Sequence, residues 1–191
     1  MPTELDTVNR MLSAAGLAPV ADANTQHPSY KRALTKLQQV SATMQAPGHW
    51  FNKSELTLEP TTDGRVYVPQ KAVHLNTLDD IDKDIVIRGP LMYDLPNRTY
   101  IISRDLRVKM IEVLDFNVLP MPAADYIAAR AVVEFFVDQG GQDPKLTMYR
   151  VLAQEAEVRF KKEVLSNHRP EQPSYRRTRQ WDKLYARYAG S

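Results

Sequence analysis

The way apolar periodicity changes along the chain predicts an α+β protein, mostly helical: a four-helix bundle with a small antiparallel β-domain inserted into it and a helical tail at the C-terminus. Three observations carry this. Apolar residues recur at helical spacing in the first 46 residues and again after residue 120. Between these stretches the spacing shortens to strand-like alternation, broken by prolines at 60, 69, 90 and 96 and by one Asp-Gly pair. Gly-Gly and Pro-Gly pairs stand where helices should stop. The expected division is therefore 1–46 with 121–168 as a discontinuous helical bundle, 49–120 as the inserted β-domain, and 169–191 as a basic tail.

Each element has a local reason. Thr3 and Asp6 have the spacing of a capping box, in which hydroxyl and carboxylate satisfy free amides at a helix start. Leu5, Val8, Leu12 and Ala15 then share one face, and Gly16 is a natural stop. A second helix is expected from Pro28 to Ala46, burying Tyr30, Leu34, Leu37, Val40 and Met44 and ending at Pro47-Gly48. Strands are expected at Glu55 to Glu59 and Arg65 to Val68. Thr61-Thr62-Asp63-Gly64 lies between them as a hairpin turn, because Asp-Gly tolerates positive φ. Further strands are expected at Asp84 to Arg88, Thr99 to Ser103 and Lys109 to Leu114, with Asp94, Pro96 and Asn97 as turn residues. The prolines suit strand ends and edges. After Pro120-Met121-Pro122, Ile127, Ala128, Ala131, Val132, Phe135 and Phe136 form a broad apolar face closed by Gly140-Gly141. Asp143-Pro144 opens a fourth helix as N-cap and first helical position, with Tyr149, Leu152, Ala156, Phe160 and Val164 as its stripe. Trp181, Leu184, Tyr185 and Tyr188 allow one short helix in the tail.

Composition narrows the class. With 191 residues, 43% hydrophobic and 25% charged, the chain is an ordinary globular sequence. A domain of this size buries roughly 70% of the surface its unfolded form exposes, enough for a real core. A net charge of +2 demands neither nucleic acid nor an anionic membrane. The charge is uneven, however. Residues 169–191 hold six basic against two acidic residues, so the tail carries +4 and the first 168 residues −2. The absence of cysteine removes disulfides, thiolate metal ligands and thiol nucleophiles together. The N-terminal stretch has no apolar signal-peptide core, and no run reaches the roughly 18 apolar residues of a membrane span, so a soluble, unsecreted chain is expected.

No motif of catalysis or cofactor binding stands out. Asp79, Asp80, Asp82 and Asp84 resemble the start of a calcium loop. Counted from Asp80, however, Ile85 replaces the required glycine and Leu91 the bidentate glutamate, so a solvated loop entering a strand is expected. Histidines 27, 49, 74 and 168 are scattered, without ligand spacing, and no metal or cofactor is expected. Nucleophile elbow, phosphate loop and dinucleotide glycines are all missing. Trp50-Phe51 suits either a sugar-stacking platform or an anchor of the β-domain on the bundle, and burial of large aromatics favours the anchor. The tail is the departure from the ordinary. Arg176, Arg177, Arg179, Trp181 and Tyr185 combine the side chains most used to anchor protein partners, and are the candidate docking residues. The same composition also suits stacking on single-stranded nucleic acid or a solvated helix with a small apolar face.

Four stretches, taken in order, carry a family resemblance. They are Val8-Asn9-Arg10-Met11-Leu12 with Gly16-Leu17-Ala18-Pro19-Val20, and Trp50-Phe51-Asn52 with Leu56-Thr57-Leu58-Glu59-Pro60 and Asp63-Gly64-Arg65-Val66-Tyr67-Val68-Pro69. They continue with Arg88-Gly89-Pro90-Leu91-Met92-Tyr93-Asp94, and with Leu114-Asp115-Phe116-Asn117-Val118-Leu119-Pro120 leading into Tyr126-Ile127-Ala128-Ala129-Arg130-Ala131. Over about residues 5 to 137 the chain resembles the tail tubular protein A family, the head-to-tail adaptors of short-tailed bacteriophages; beyond Gly141 the likeness thins. The resemblance implies a virion protein with no enzymatic activity and no cofactor, made in the host cytoplasm. It implies twelve copies in a ring beneath the dodecameric portal protein, receiving a nozzle of the tail tubular protein B kind and passing DNA through the lumen without reading its sequence. It supplies no catalytic residues.

The other classes are a phage-tail carbohydrate hydrolase acting on host surface polysaccharide and a nucleic-acid binder. The first needs two carboxylates about 5 to 9.5 Å apart, and is recognised by loss of activity on replacing one Asp or Glu. The second is recognised by a steep salt dependence. On the adaptor reading, deleting residues 170–191 leaves the fold intact by circular dichroism and weakens attachment to the portal; unchanged attachment would count against docking by the tail.

Overall fold

The structure, a computed structural model, describes residues 2–23, 27–142 and 144–167. It is a mixed α+β fold of four α-helices and small antiparallel sheets. Helix α1 spans Glu4–Ala14 and begins with the expected capping box: the Asp6 N–H donates to Thr3 Oγ1 (3.1 Å) and the Thr3 N–H to Asp6 Oδ2 (3.4 Å). Asn9 then fixes the chain that follows. Its Oδ1 accepts from the Val20 N–H and its Nδ2 donates to the Val20 carbonyl, both at 2.8 Å. Helix α2, Pro28–Gln45, starts with proline in its first turn, where the missing N–H removes nothing. Helix α3 spans Met121–Asp138 and α4 spans Lys145–Asn167. Asp143, expected to cap α4, lies outside the described residues.

Helices α1, α2 and α3 pack on one another, and α4 lies on α3. Val8, Leu12, Leu37, Ile127, Ala131 and Phe135, all expected to face inward, are buried in the shared core. Burying each of the larger side chains stabilises by about 1.5–3 kcal/mol. The small residues Ala123 on α3 and Ala156 on α4 let those two helices approach closely, and Phe160 fills the space beside them. The expected stripe of α4 needs one correction. Leu152 is 46% exposed, because α4 packs mainly on α3 and Leu152 stands over an open cleft whose other wall includes Asn9 and Ser13 of α1.

Between α2 and α3, strands β1 (Lys53–Leu58), β2 (Ala72–Thr77) and β5 (Leu106–Glu112) form an antiparallel sheet in the order β1-β5-β2. Strands β3 (Ile85–Arg88) and β4 (Leu91–Asp94) form a hairpin. Leu58, Val66, Leu75, Met92, Leu106 and Val108 belong to a second core beneath these strands.

The expected hairpin on Asp63-Gly64 is only half right. The turn forms, with the Thr61 N–H donating to the Arg65 carbonyl at 2.8 Å. The segment 65–68, however, does not pair with β1, whose partner is β5. It makes single bridges instead, Arg65 to Ile101 and Tyr67 to Leu91. Pro60 and Pro69 remove ladder donors at both ends of the would-be hairpin, while β5 offers an uninterrupted row. Thr99 to Ser103 is likewise reduced to bridges from Thr99 and Ile101. The last strand, expected at Lys109 to Leu114, begins three residues earlier. Strands β2 and β4 are additions. β2 is an edge strand that buries only Leu75, so it shows little alternation. β4 follows β3 through the two-residue turn Gly89-Pro90, where Gly89 takes φ +64°, open to glycine at little cost.

Leu37→Ala, at a fully buried position of the helical core, is expected to lower stability by about 2–5 kcal/mol in urea unfolding. A loss below about 1 kcal/mol would mean that the core is not packed as described.

Candidate assembly surfaces

The strands are attached to the helices through two buried amides. Gln45, the last residue of α2, and Asn52, just before β1, are 0% and 2% exposed. Gln45 Oε1 accepts from the Leu114 N–H (2.8 Å), while its Nε2 donates to the Leu114 carbonyl (3.0 Å) and to Ser41 Oγ (2.9 Å). Asn52 Nδ2 donates to the carbonyls of Gln45 (2.9 Å) and Glu112 (2.8 Å), and its Oδ1 accepts from the His49 N–H (2.6 Å). The Glu112 N–H closes the ring on the Asn52 carbonyl at 3.1 Å. Among the described residues, no buried side-chain nitrogen or oxygen is left without a partner. Neither amide was singled out from the sequence as a site. The one signal was Asn52 directly after two aromatics at a helix-to-strand junction, a place where a polar side chain is surrounded by apolar mass.

Trp50 and Phe51 act as the anchor expected of them. Their rings meet edge-to-face at 4.9 Å, and Trp50 reaches Phe160 of α4 at 6.1 Å. His49 adds contacts to Phe51 (5.5 Å) and Phe160 (5.0 Å), and Tyr126 stacks on Phe160 at 5.6 Å. Each such pair contributes about 0.5–1.5 kcal/mol beyond its buried area. His49 Nε2 lies 2.8 Å from the Met44 carbonyl, which can only accept, so that nitrogen carries the hydrogen. Both rings of the dipeptide are taken up by this junction instead of forming an open platform.

Away from the junction, the acidic loop is only in part the solvated loop expected, and its aspartates divide by burial. Asp82 is 3% exposed and turns inward to Arg104, whose Nε donates to its Oδ1 at 2.9 Å and whose Nη2 contacts the same oxygen. Asp79 pairs loosely with Arg107 at 3.4 Å. Asp80 and Asp84 stay on the surface. Among the described residues, no group of three or more acids and histidines is placed to hold a metal ion. On the β3–β4 hairpin, the Arg88 guanidinium sits 3.8 Å over the Tyr93 ring, which meets Tyr100 edge-to-face. The Asp94 carboxyl at the end of that hairpin is held below the ordinary carboxylate range by hydrogen bonds from the Asn97 side chain and backbone.

The candidate docking residues Arg176, Arg177, Arg179, Trp181 and Tyr185 lie outside the described residues. What the sequence reading did not bring out is the outer face of α4. Met148, Val151, Val158 and Leu165 are each half or more exposed there. Exposed apolar side chains also stand on the strand side, at Ile81 and Ile101. Scattered apolar side chains are ordinary on a surface, whereas a row of them along one helix face is the kind of patch that meets a partner.

These features describe a scaffold with hydrophobic clusters among its helices and beneath its strands, a hydrogen-bonded joint between helices and strands, and apolar side chains turned outward on α4. The comparison with known proteins gives its family. The sequence profile described as tail tubular protein matches residues 5–175, well past Gly141 where the likeness had thinned. The chain is similar to tail tubular protein A of Klebsiella phage KP34, with 32% identity over 165 residues that cover 86% of each chain. The chain belongs to the tail tubular protein family. It is thus a structural protein of a bacteriophage tail and not an enzyme, which sets aside the carbohydrate-hydrolase alternative.

Asn52→Ala removes three hydrogen bonds; the Glu112 carbonyl and the His49 N–H lose the amide as partner, while the Gln45 carbonyl keeps the Gly48 N–H at 2.9 Å. A loss of roughly 2–4 kcal/mol in urea unfolding is expected, at about 1–3 kcal/mol per stranded buried group partly offset by entering water. Near-wild-type stability would show that the amide is dispensable.

Proposed function

We propose that this chain is the head-to-tail adaptor of a short-tailed phage, with twelve copies forming a ring between the portal and the tail nozzle. Family membership carries the reading: a tube is made by repeating one subunit, and the chain is matched over most of its length to a family of tail tubular proteins. The distribution of apolar side chains supports it. A closed ring needs two unlike faces on each copy, and the chain turns apolar groups outward both on α4 and among its strands. On this reading 1–46 with 121–168 form a helical unit and 49–120 an inserted strand unit, with the Gln45–Asn52 joint between them. The basic tail 169–191 docks on the portal through Arg176, Arg177, Arg179, Trp181 and Tyr185. The ring assembles in the host cytoplasm. DNA crosses its lumen transiently and without sequence recognition, since a net charge of +2 gives little general hold on phosphate.

Mass measurement by light scattering, first on the chain alone and then on the chain mixed with its cognate portal ring, tests the proposal. A twelve-copy ring is expected in at least the mixed sample. A monomer that ignores the portal would end the adaptor reading.

A further inference from the structure

We propose that two surfaces of this chain are the two halves of one head-to-tail contact between copies: the outward stripe of α4 and the acidic knuckle at residues 78–84, between β2 and β3. The proposal rests on the ring reading above and names the contact such a ring requires.

The stripe follows from the periodicity of α4. At about 100° per residue, Val151, Val158 and Leu165 fall roughly opposite Phe160, the side chain buried against α3. They are 50%, 61% and 75% exposed. Their seven-residue spacing lines them up as a narrow seam about 21 Å long, the geometry with which a helix receives another element. A helix with one covered face ordinarily turns charge outward on the other, so α4 is apolar on one side more than its own fold uses. The rim of the seam carries more basic than acidic side chains, with Arg159 and Lys162 against Glu155 on one flank, and Arg150 with the ion pair of Lys161 and Glu157 on the other.

The knuckle is the complement. Ile81 at its apex is 78% exposed and Leu78 is 37% exposed. Around them stand Asp79, Asp80, Lys83 and Asp84; Asp79 meets Arg107 and Asp82 meets Arg104, so the acids that the knuckle turns to the surface are Asp80 and Asp84. The loop is already rigid before any partner arrives. Asp82 is buried on Arg104, its carbonyl accepts from Thr77 Oγ1 at 2.9 Å, and its N–H donates to the Asp79 carbonyl at 2.9 Å. An apolar knob on a preformed turn loses little conformational freedom on docking. Opposite charge on the two rims sets the orientation. Pairing α4 antiparallel with α4 of a second copy would also bring Glu155 near Lys162, but such a two-fold contact closes at two copies and leaves the knuckle bare.

The chain has no cysteine, so single thiols can report the contact. Ile81→Cys and Val158→Cys are both surface positions and should keep the fold, which circular dichroism checks. Mixed and mildly oxidised, with and without portal ring, the two variants are expected to give a covalent dimer. Its yield should be on the order of tenfold above that of either variant alone, because a formed contact raises the effective concentration of the paired thiols. Asp80→Lys added to the first variant lowers that yield, and Lys162→Glu added to the second restores it. Equal cross-linking by Val158→Cys alone would overturn the proposal in favour of a two-fold α4 contact. No dimer while the wild-type chain is multimeric by light scattering would place the contact elsewhere and leave the ring reading standing. No dimer and a monomeric wild type, with and without portal, would remove both.

Discussion

The structure turns on one side-chain amide. Gln45 offers Leu114 an acceptor and a donor, the same pair that a neighbouring strand's peptide group would offer, and so closes the backbone where the chain returns to the helices. Asn52 does the matching service for Glu112 and for the end of α2. An apolar side chain of equal volume would leave buried backbone groups unpaired, each at a cost of about 1–3 kcal/mol. The aromatic cluster of His49, Trp50, Phe51 and Phe160 then keeps water out, which strengthens those hydrogen bonds. Helix packing, strand attachment and the position of α4 all meet at this small patch.

What could be read from the sequence was what is decided locally. The Thr3–Asp6 cap, the proline start of α2 and the apolar face of α3 depend on residues three or four positions apart, and all three stand as read. The strands were harder because pairing is chosen by competition. Glu55 to Glu59 and Arg65 to Val68 look like hairpin partners, yet β5, some fifty residues further on, takes β1. β2 was silent because an edge strand with one buried side chain has no pattern to show.

The assembly surfaces show the same limit. Gln45 and Asn52 find partners 69 and 60 positions away, and nothing near them in sequence announces it. On α4 the inward stripe is legible except at Leu152 and the outward one is not, because a helix apolar on two sides blurs the amphipathic signal by which faces are recognised. The family likeness was legible instead through short motifs in order, among them Trp50-Phe51-Asn52, which turn out to hold the joint.

The same joint has a bearing on how such proteins diverge. The chain leaves the helices at Gln45 and comes back at Leu114, and these two residues touch through paired hydrogen bonds. The ends of the intervening segment are therefore fixed beside each other whatever its length. Each doubling of such a closed segment adds only about 0.6 kcal/mol of closure entropy. Insertions and deletions at its far turns need not disturb a single helix contact. A lineage can reshape the strand tips to suit a new neighbour, generation after generation, while its helices stay in register.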